Sequence, residues 1–219
     1  GLTSVSLGHA YSPVIEAVKN ELSKGVNFQR PSYIEKEMAE VFLGLIPQHD
    51  QIKFSKNGST VTTAAVKLAR AATGRKLVAF PEDHPFYSYD DWFIGKTACS
   101  KGVPSEISDL TVTFKSCDLY SLLALFEKYP NQIAAVITEP EKPQCSGCDC
   151  SLSSQRYLQE AIRITQNEGA IFILDEMVSG FKVDLPGAIS KYKLEPDLAT
   201  WGKGIANGFS FCALTGKKE

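Results

Sequence analysis

The residues best suited to covalent chemistry lie in TWGKGIANGF, where Lys203 stands between two glycines with Trp201 and Phe209 close by in sequence. Glycines on both sides let the backbone approach a bound molecule. A shielded lysine amine can condense with an aldehyde and later carry a proton, whereas a solvated one is an ordinary surface charge. In AIFILDEMVSGF, Asp175 ends an apolar run, 203 − 175 = 28 residues before that lysine. An ionised carboxylate in a shielded place can keep a ring nitrogen protonated. The competing reading is that Asp175 or Glu176 caps the following turn or pairs with a lysine.

In FSKNGSTVTTAAVKLAR, Asn57, Gly58 and Ser59 fall between an extended segment and a helical pattern. Successive N–H groups at such a turn can cradle a phosphate, and the hydroxyls of Ser59 or Thr60 add donors. A plain Asn or Ser helix cap has the same appearance. The segment is neither GxxxxGK[ST] nor GxGxxG, which argues against an ATP- or NAD-binding domain. Glu139, followed by Pro140, ends a further apolar run, IAAVITEP. It can serve the same crevice as Asp175 or form a local salt bridge.

Cys145, Cys148 and Cys150 form CSGCDC. Zinc needs a fourth ligand, which no nearby histidine supplies and only distant Cys99 or Cys117 could, so no metal site is expected. His9 has no spacing that makes it a catalytic base, His84 fits a turn beside Asp83 and Pro85, and His49 has no supporting motif.

The elements that position these residues follow from periodicity. Val14, Ala17, Val18 and Leu22 predict an amphipathic helix stopping at Gly25, and Met38, Val41 and Phe42 predict a second over Tyr33 to Leu43. After the extended segment QIKFS, the residues Val61, Ala65, Leu68, Ala69 and Ala72 recur at helical spacing and Gly74 supplies a stop. KLVAF reads as a strand and LYSLLALFEKYP as a helix with Leu119, Leu122, Leu123 and Phe126 available for burial. IAAVIT is a strand, RYLQEAIRITQNEG a helix, and AIFILD a strand. Continuous apolar strands separated by helices imply an α/β fold with a predominantly parallel sheet and helices on both faces. Ligands bind such sheets beyond the carboxyl ends of the strands, where Glu139 and Asp175 both stand.

Composition sets outer bounds. Hydrophobic residues make up 43% and charged residues 22% of 219, an ordinary globular balance. A net charge of −2 provides no general field for nucleic acid or an anionic membrane. No apolar run approaches the length of about eighteen residues that a membrane helix needs, and the first residues lack a secretory pattern. The expectation is a cytoplasmic protein whose six cysteines are mostly reduced thiols.

NGSTVTTAAVKLARAATGR, AAVITEPEK, GAIFILDEMVSGF and PDLATWGKGIANG resemble, in the same order, motifs of the class III aminotransferases, especially the glutamate-1-semialdehyde aminomutase branch. The similarity spans nearly the whole chain, and the interval between Asp175 and Lys203 matches the family's. The resemblance implies fold type I and the cofactor pyridoxal 5'-phosphate (PLP), with Lys203 as the lysine that holds it covalently and Asp175 contacting its pyridine nitrogen. Asn57, Gly58 and Ser59 match the family's phosphate turn, Phe86 aligns with the aromatic that stacks on the ring, and Glu139 matches the acid of its EP motif. A shift of one residue would nominate Tyr87 for stacking.

The resemblance also implies transfer of an amino group between a small amino donor and an oxo acceptor. Intramolecular aminomutation and a non-catalytic PLP-binding piece are the alternatives. A homodimer is the implied assembly, without nucleic-acid or membrane partners. Residues 1–219 are read as the N-terminal segment and most of the PLP-binding large domain, truncated, with the C-terminal small domain absent. Two departures stand out: Thr60 occupies the place of the relatives' usual Glu or Asp, and Asn57 that of their common serine.

Overall fold

A computed structural model describes residues 2–83, 86–140 and 154–218. Helices α1 (Ser12–Leu22) and α2 (Tyr33–Gly44) lead into β1 (Gln51–Ser55), α3 (Gly58–Thr73) and β2 (Leu77–Pro81). Two short helices, α4 (Asp91–Ile94) and α5 (Ser105–Ser108), precede β3 (Thr111–Phe114), α6 (Leu119–Lys128) and β4 (Ile133–Thr138). Then come α7 (Ser154–Asn167), β5 (Ile171–Asp175), α8 (Ala188–Lys191) and β6 (Leu198–Trp201). A 3-10 turn over Lys203–Ala206 returns the chain into β7 (Cys212–Gly216).

The strands form one sheet in the order β1-β7-β6-β5-β4-β2-β3. β7 is antiparallel to both of its neighbours, and every other pairing is parallel. The architecture is therefore the mixed α/β arrangement expected, a mostly parallel sheet flanked by helices. The sequence reading assigned no strand to Thr111–Phe114, Leu198–Trp201 or Cys212–Gly216. Thr111 and Thr113 interrupt the apolar run of β3, an edge strand; Thr113 is only partly buried, and buried Thr111 donates its hydroxyl to the Trp92 carbonyl at 2.6 Å.

Strand residues alternate between two cores. On one face Phe42, Leu122, Phe126, Leu158 and Ile162 pack against Val136, Phe172, Leu174, Ala199 and Trp201. On the other, Ala65, Val66 and Ala69 of α3, with Trp92 and Phe93, cover Val78, Phe80, Ala135, Ile137, Ile173 and Leu198. With a period of two, Glu139, Asp175 and Thr200 continue the face that α3 covers. The small side chains of α3 let it lie close to the sheet. Asn57 caps it, its side-chain oxygen accepting the Thr60 N–H, and Gly74 closes it at φ 68°, a left-handed conformation that glycine adopts without strain.

Several residues expected to be buried are not. None of the residues of α1 is buried, and Val41, Leu68 and Leu123 are exposed on their helices. Periodicity identifies an apolar stripe, but which part of it meets a neighbour depends on packing between distant segments. No helix among the described residues is long and apolar enough to cross a membrane.

Candidate active site

Four chain segments meet at the carboxyl end of the sheet. β1 ends there at Ser55 and runs into the turn that opens α3, β4 delivers Glu139, β5 delivers Asp175, and β6 delivers the turn at Lys203. Because β7 is antiparallel, its first residue lies at this same end, with Cys212 paired to Ser55 and Ala213 to Trp201.

Asp175 is 1% exposed and paired in register with Thr200 on the neighbouring parallel strand. Their side chains point the same way, and the Thr200 hydroxyl donates to Oδ1 of Asp175 at 2.9 Å. The backbone N–H of Met177 donates to the same oxygen at 2.9 Å. Burial, reinforced by the charge of Glu139, raises the carboxyl pKa to about 7, and these two bonds together with the Lys203 charge oppose the rise. The alternative role of Asp175 as a turn cap is thus realised in part, through Met177.

Glu176 faces elsewhere. It is fully buried, accepts the Ile189 N–H at 2.6 Å, and takes a short hydrogen bond from the Ser179 hydroxyl. It ties the loop after β5 to the start of α8.

Lys203 is half-buried at the first position of the 3-10 turn, with φ 48°. A left-handed conformation at a non-glycine residue stores strain of about 1–3 kcal/mol and persists only where surroundings enforce it. Two contacts do so here. The Lys203 N–H stands beside the thiol of Cys212, and Gly202 is so tightly enclosed that an added Cβ would overlap Met177 Sδ and lie 2.8 Å from Cys212 Sγ. Beyond the turn, Asn207 binds the N-terminal segment twice, accepting the Leu7 N–H at 2.8 Å and donating to the Gly8 carbonyl at 3.0 Å. Lys182, whose pKa is lowered by burial and by the Lys203 charge, donates to the Thr3 carbonyl.

The turn at Asn57–Ser59 opens α3, a helix of 16 residues. The first four N–H groups of a helix have no partner within it. Here the Thr60 N–H and hydroxyl both go to Asn57 Oδ1, at 2.9 and 3.0 Å, and the Val61 N–H goes to the Asn57 carbonyl. The amides of Gly58 and Ser59 remain at the positive end of the helix dipole. A Cβ on Gly58 would lie 3.0 Å from Met177 Cε, so the turn packs directly against the residues that follow Asp175.

Ser59 and Thr62 hold the aromatic loop: Ser59 Oγ accepts the Tyr89 N–H at 3.2 Å, and the Thr62 hydroxyl donates to the Tyr87 carbonyl at 3.0 Å. Within that loop Phe86 is 54% exposed, with its edge toward Phe93. Tyr87 is buried, and its hydroxyl bridges the end of β4, donating to the Ile137 carbonyl at 3.3 Å and accepting the Glu139 N–H at 3.2 Å. Burial raises its pKa well above the usual phenol value, and the Glu139 and Asp175 charges add to the rise. The ring of Tyr87 is thereby committed to the core.

The structure thus brings Asn57, Gly58, Ser59, Glu139, Asp175 and Lys203 to one end of the sheet. Sequence reasoning overlooked Thr200 and Cys212, which reach the site through strand register, and Met177, which reaches it from the turn after β5. It also found nothing for His49, which is buried between Thr215 and the Pro196 carbonyl, away from this end. His84, Cys145, Cys148 and Cys150 lie outside the described residues. Cys99 is exposed and Cys212 is buried.

Comparison with known proteins identifies the family. The family model for aminotransferase class-III matches residues 1–219. A glutamate-1-semialdehyde 2,1-aminomutase from Chloroflexus aurantiacus is 35% identical over 97% of this chain and 49% of its own length, and one from Chloroflexus aggregans is 34% identical over 97% and 50%. The chain spans about half the length of the curated relatives it matches. Among solved structures, the PLP internal aldimine form of the FumI protein of Sphingopyxis sp. MTA144 superposes with a TM-score of 0.86 at 30% identity, covering 97% of this chain and 50% of that one. An omega-transaminase from Sphaerobacter thermophilus gives 0.87 at 27% identity, covering 99% and 52%. With its fold, its family match and its PLP-binding structural relatives in agreement, this chain belongs to the class-III aminotransferases, fold type I enzymes that use pyridoxal 5'-phosphate.

Proposed function

We propose that Lys203 and Asp175 hold PLP in this protein and that it moves an amino group on a small amino or oxo substrate. The observation that carries this reading is Asp175 itself: a buried carboxylate beside Lys203, with two donors on Oδ1 and no cationic partner bonded to it among the described residues. Such a group is costly to ionise unless a cation meets it. A protonated pyridine nitrogen supplies that cation and restores the ionised form, so the residues present fit the cofactor. When bound, PLP supplies a carbon that captures amines and a ring that takes up negative charge.

The chain's own residues take the remaining roles. Lys203 binds the cofactor through its amine and, once substrate has replaced it, removes and returns the proton next to the substrate nitrogen. Asp175 holds the ring nitrogen protonated. The Gly58 and Ser59 amides, the Ser59 hydroxyl and the α3 dipole anchor the phosphate, and Asn57, whose Oδ1 is held by Thr60, adds its side-chain N–H donors. Phe86, whose ring is not enclosed by the core, is the better candidate to cover the cofactor, since Tyr87 is committed to β4. Glu139 lies beside Asp175 and shapes the field at the substrate end.

The reaction this reading favours is intramolecular aminomutation of the glutamate-1-semialdehyde type, supported by the names of the 34–35% identical relatives. Transfer between a donor and a separate oxo acceptor is the second reading, supported by the name of the omega-transaminase whose structure superposes on this chain. An amino substrate labelled with heavy nitrogen separates the two. Label retained in the product despite excess unlabelled amine supports aminomutation, and label lost to an added oxo acid supports transamination.

The assignment of Lys203 is tested by borohydride reduction of the PLP-loaded protein followed by peptide mapping. The expected adduct is on Lys203, and Lys203→Ala is expected to abolish the visible lysine-linked band. An adduct on another lysine, or a band that survives the substitution, rejects it.

A further inference from the structure

We propose that Thr200 is a positioning residue for the cofactor: its hydroxyl, donated to Oδ1 of Asp175, fixes the carboxylate so that Oδ2 is the oxygen presented to the ring nitrogen of PLP. The inference rests on the proposed roles of Asp175 and Lys203 and adds what orients the first of them. An aspartate carboxylate rotates in a broad, roughly two-fold well, so one anchor leaves its direction loosely set. Here there are two, from different parts of the chain. Met177 donates from the turn that follows β5, and Thr200 donates from the adjacent strand, both at 2.9 Å to the same oxygen.

The direction of donation is unambiguous. Oδ1 already accepts one N–H, and an ionised carboxylate can only accept, so the hydroxyl hydrogen of Thr200 lies on this bond. With Oδ1 committed to two donors, any proton that Asp175 binds or releases sits on Oδ2. The oxygen that meets the ring and the oxygen that titrates are then the same atom, and Thr200 keeps them so.

Placement strengthens the argument. Thr200 is fully buried, is the register partner of Asp175, and stands on β6, the strand that runs directly into Lys203. The next residue, Trp201, is locked from the opposite face, its indole N–H donating to Thr215 Oγ1 at 2.8 Å. β6 is therefore a fixed rail, and the Thr200 hydroxyl transfers its position to Asp175. The two protein groups assigned to opposite ends of the cofactor share one reference.

The test uses the full-length protein loaded with PLP, comparing Thr200→Val, which has the same shape without the hydroxyl, with Thr200→Ser, which keeps it. Two quantities are read: PLP affinity by equilibrium dialysis, and the pH midpoint of the lysine-linked visible band. A hydrogen bond to a charged group supports an expected weakening of PLP affinity of about tenfold in Thr200→Val, together with a displaced midpoint. Thr200→Ser is expected to restore both to within about twofold. If valine disturbs folding, Thr200→Ala takes its place in the same comparison with serine. An unmoved Thr200→Val (or Thr200→Ala), or a Thr200→Ser variant that behaves like it, overturns the inference alone. Absence of a lysine-linked band in the unsubstituted protein instead overturns the assignment of Lys203, and this inference with it.

Discussion

The backbone N–H of Lys203 faces the thiol of Cys212, the first residue of β7, and favours its ionised form. Lys203, at φ 48°, is thus bordered by a residue later in the chain that the pairing of β7 with β6 brings back to it. Cys212 is buried in a packed corner, its sulfur and that of Met177 both crowding Gly202, and its reactivity follows from that placement.

Burial pushes the Cys212 thiol up to about 11, whereas Cys99 is exposed. The thiolate is the reactive form. Iodoacetamide at about pH 8 is expected to label Cys99 within the folded protein and Cys212 only after unfolding. Peptide mass mapping at successive times checks the order, and early labelling of Cys212 would contradict it.

Gly202 is required for space rather than for its backbone angle, since its φ of −172° is extended. A methyl group there would overlap Met177 Sδ and crowd Cys212 Sγ at 2.8 Å. Gly202→Ala is expected to destabilise the protein by about 1–3 kcal/mol and to reduce PLP occupancy. Adding Met177→Ala should recover part of both losses, because the thioether is the overlapped group. Thermal melts and dialysis read the outcome, and a double variant no better than the single would exclude this steric account.

Asp175 makes the cofactor-free protein sensitive to pH. Its carboxyl rises from an ordinary 3.8 to about 7 on folding, so between those values the folded chain binds its proton more tightly than the unfolded chain does. Stability conferred in that way is greatest below the window, declines as pH climbs through it and stays low above. Asp175→Asn retains an acceptor for Thr200 and Met177 but cannot ionise. It is expected to stabilise the cofactor-free protein by roughly 2–4 kcal/mol at about pH 8 and by little at about pH 4. Urea midpoints at the two pH values measure this, and equal midpoints for both proteins at the higher pH would refute it.

His49 has the opposite dependence. Its Nε2 is 3.1 Å from the Pro196 carbonyl, which can only accept, so Nδ1 accepts the Thr215 hydroxyl at 2.7 Å. Burial lowers its pKa, with the Lys217 charge adding to the effect, while the Pro196 bond and the Asp197 and Asp50 charges work against it. A neutral, doubly bonded imidazole contributes its stability above the unfolded pKa of about 6.5 and loses it as pH falls toward the folded value. The gap between the parent protein and His49→Gln is expected to be about 1–2 kcal/mol near pH 7.5 and smaller near pH 5.5. Because Asp175 acts oppositely over part of this range, only the difference between variants at each pH is diagnostic. A gap that widens on acidification would disprove the assignment.

The amino-acid sequence by itself determined the order of the chemical groups and the kind of scaffold beneath them. Lys203 between glycines, Asp175 and Glu139 at the ends of apolar runs, and Asn57 to Ser59 before a helical pattern are local features, legible because capping, periodicity and apolar runs act within a few residues. Tertiary structure decided what those groups touch. Thr200 reaches Asp175 only because β6 pairs in parallel with β5 at one register, and Cys212 reaches Lys203 only because β7 turns back against β6. Tyr87 rather than Phe86 enters the core because its hydroxyl finds the end of β4. Register and packing are set by surfaces brought together from distant parts of the chain, and a shift of one residue reverses every side chain of a strand, so no local pattern encodes these partners.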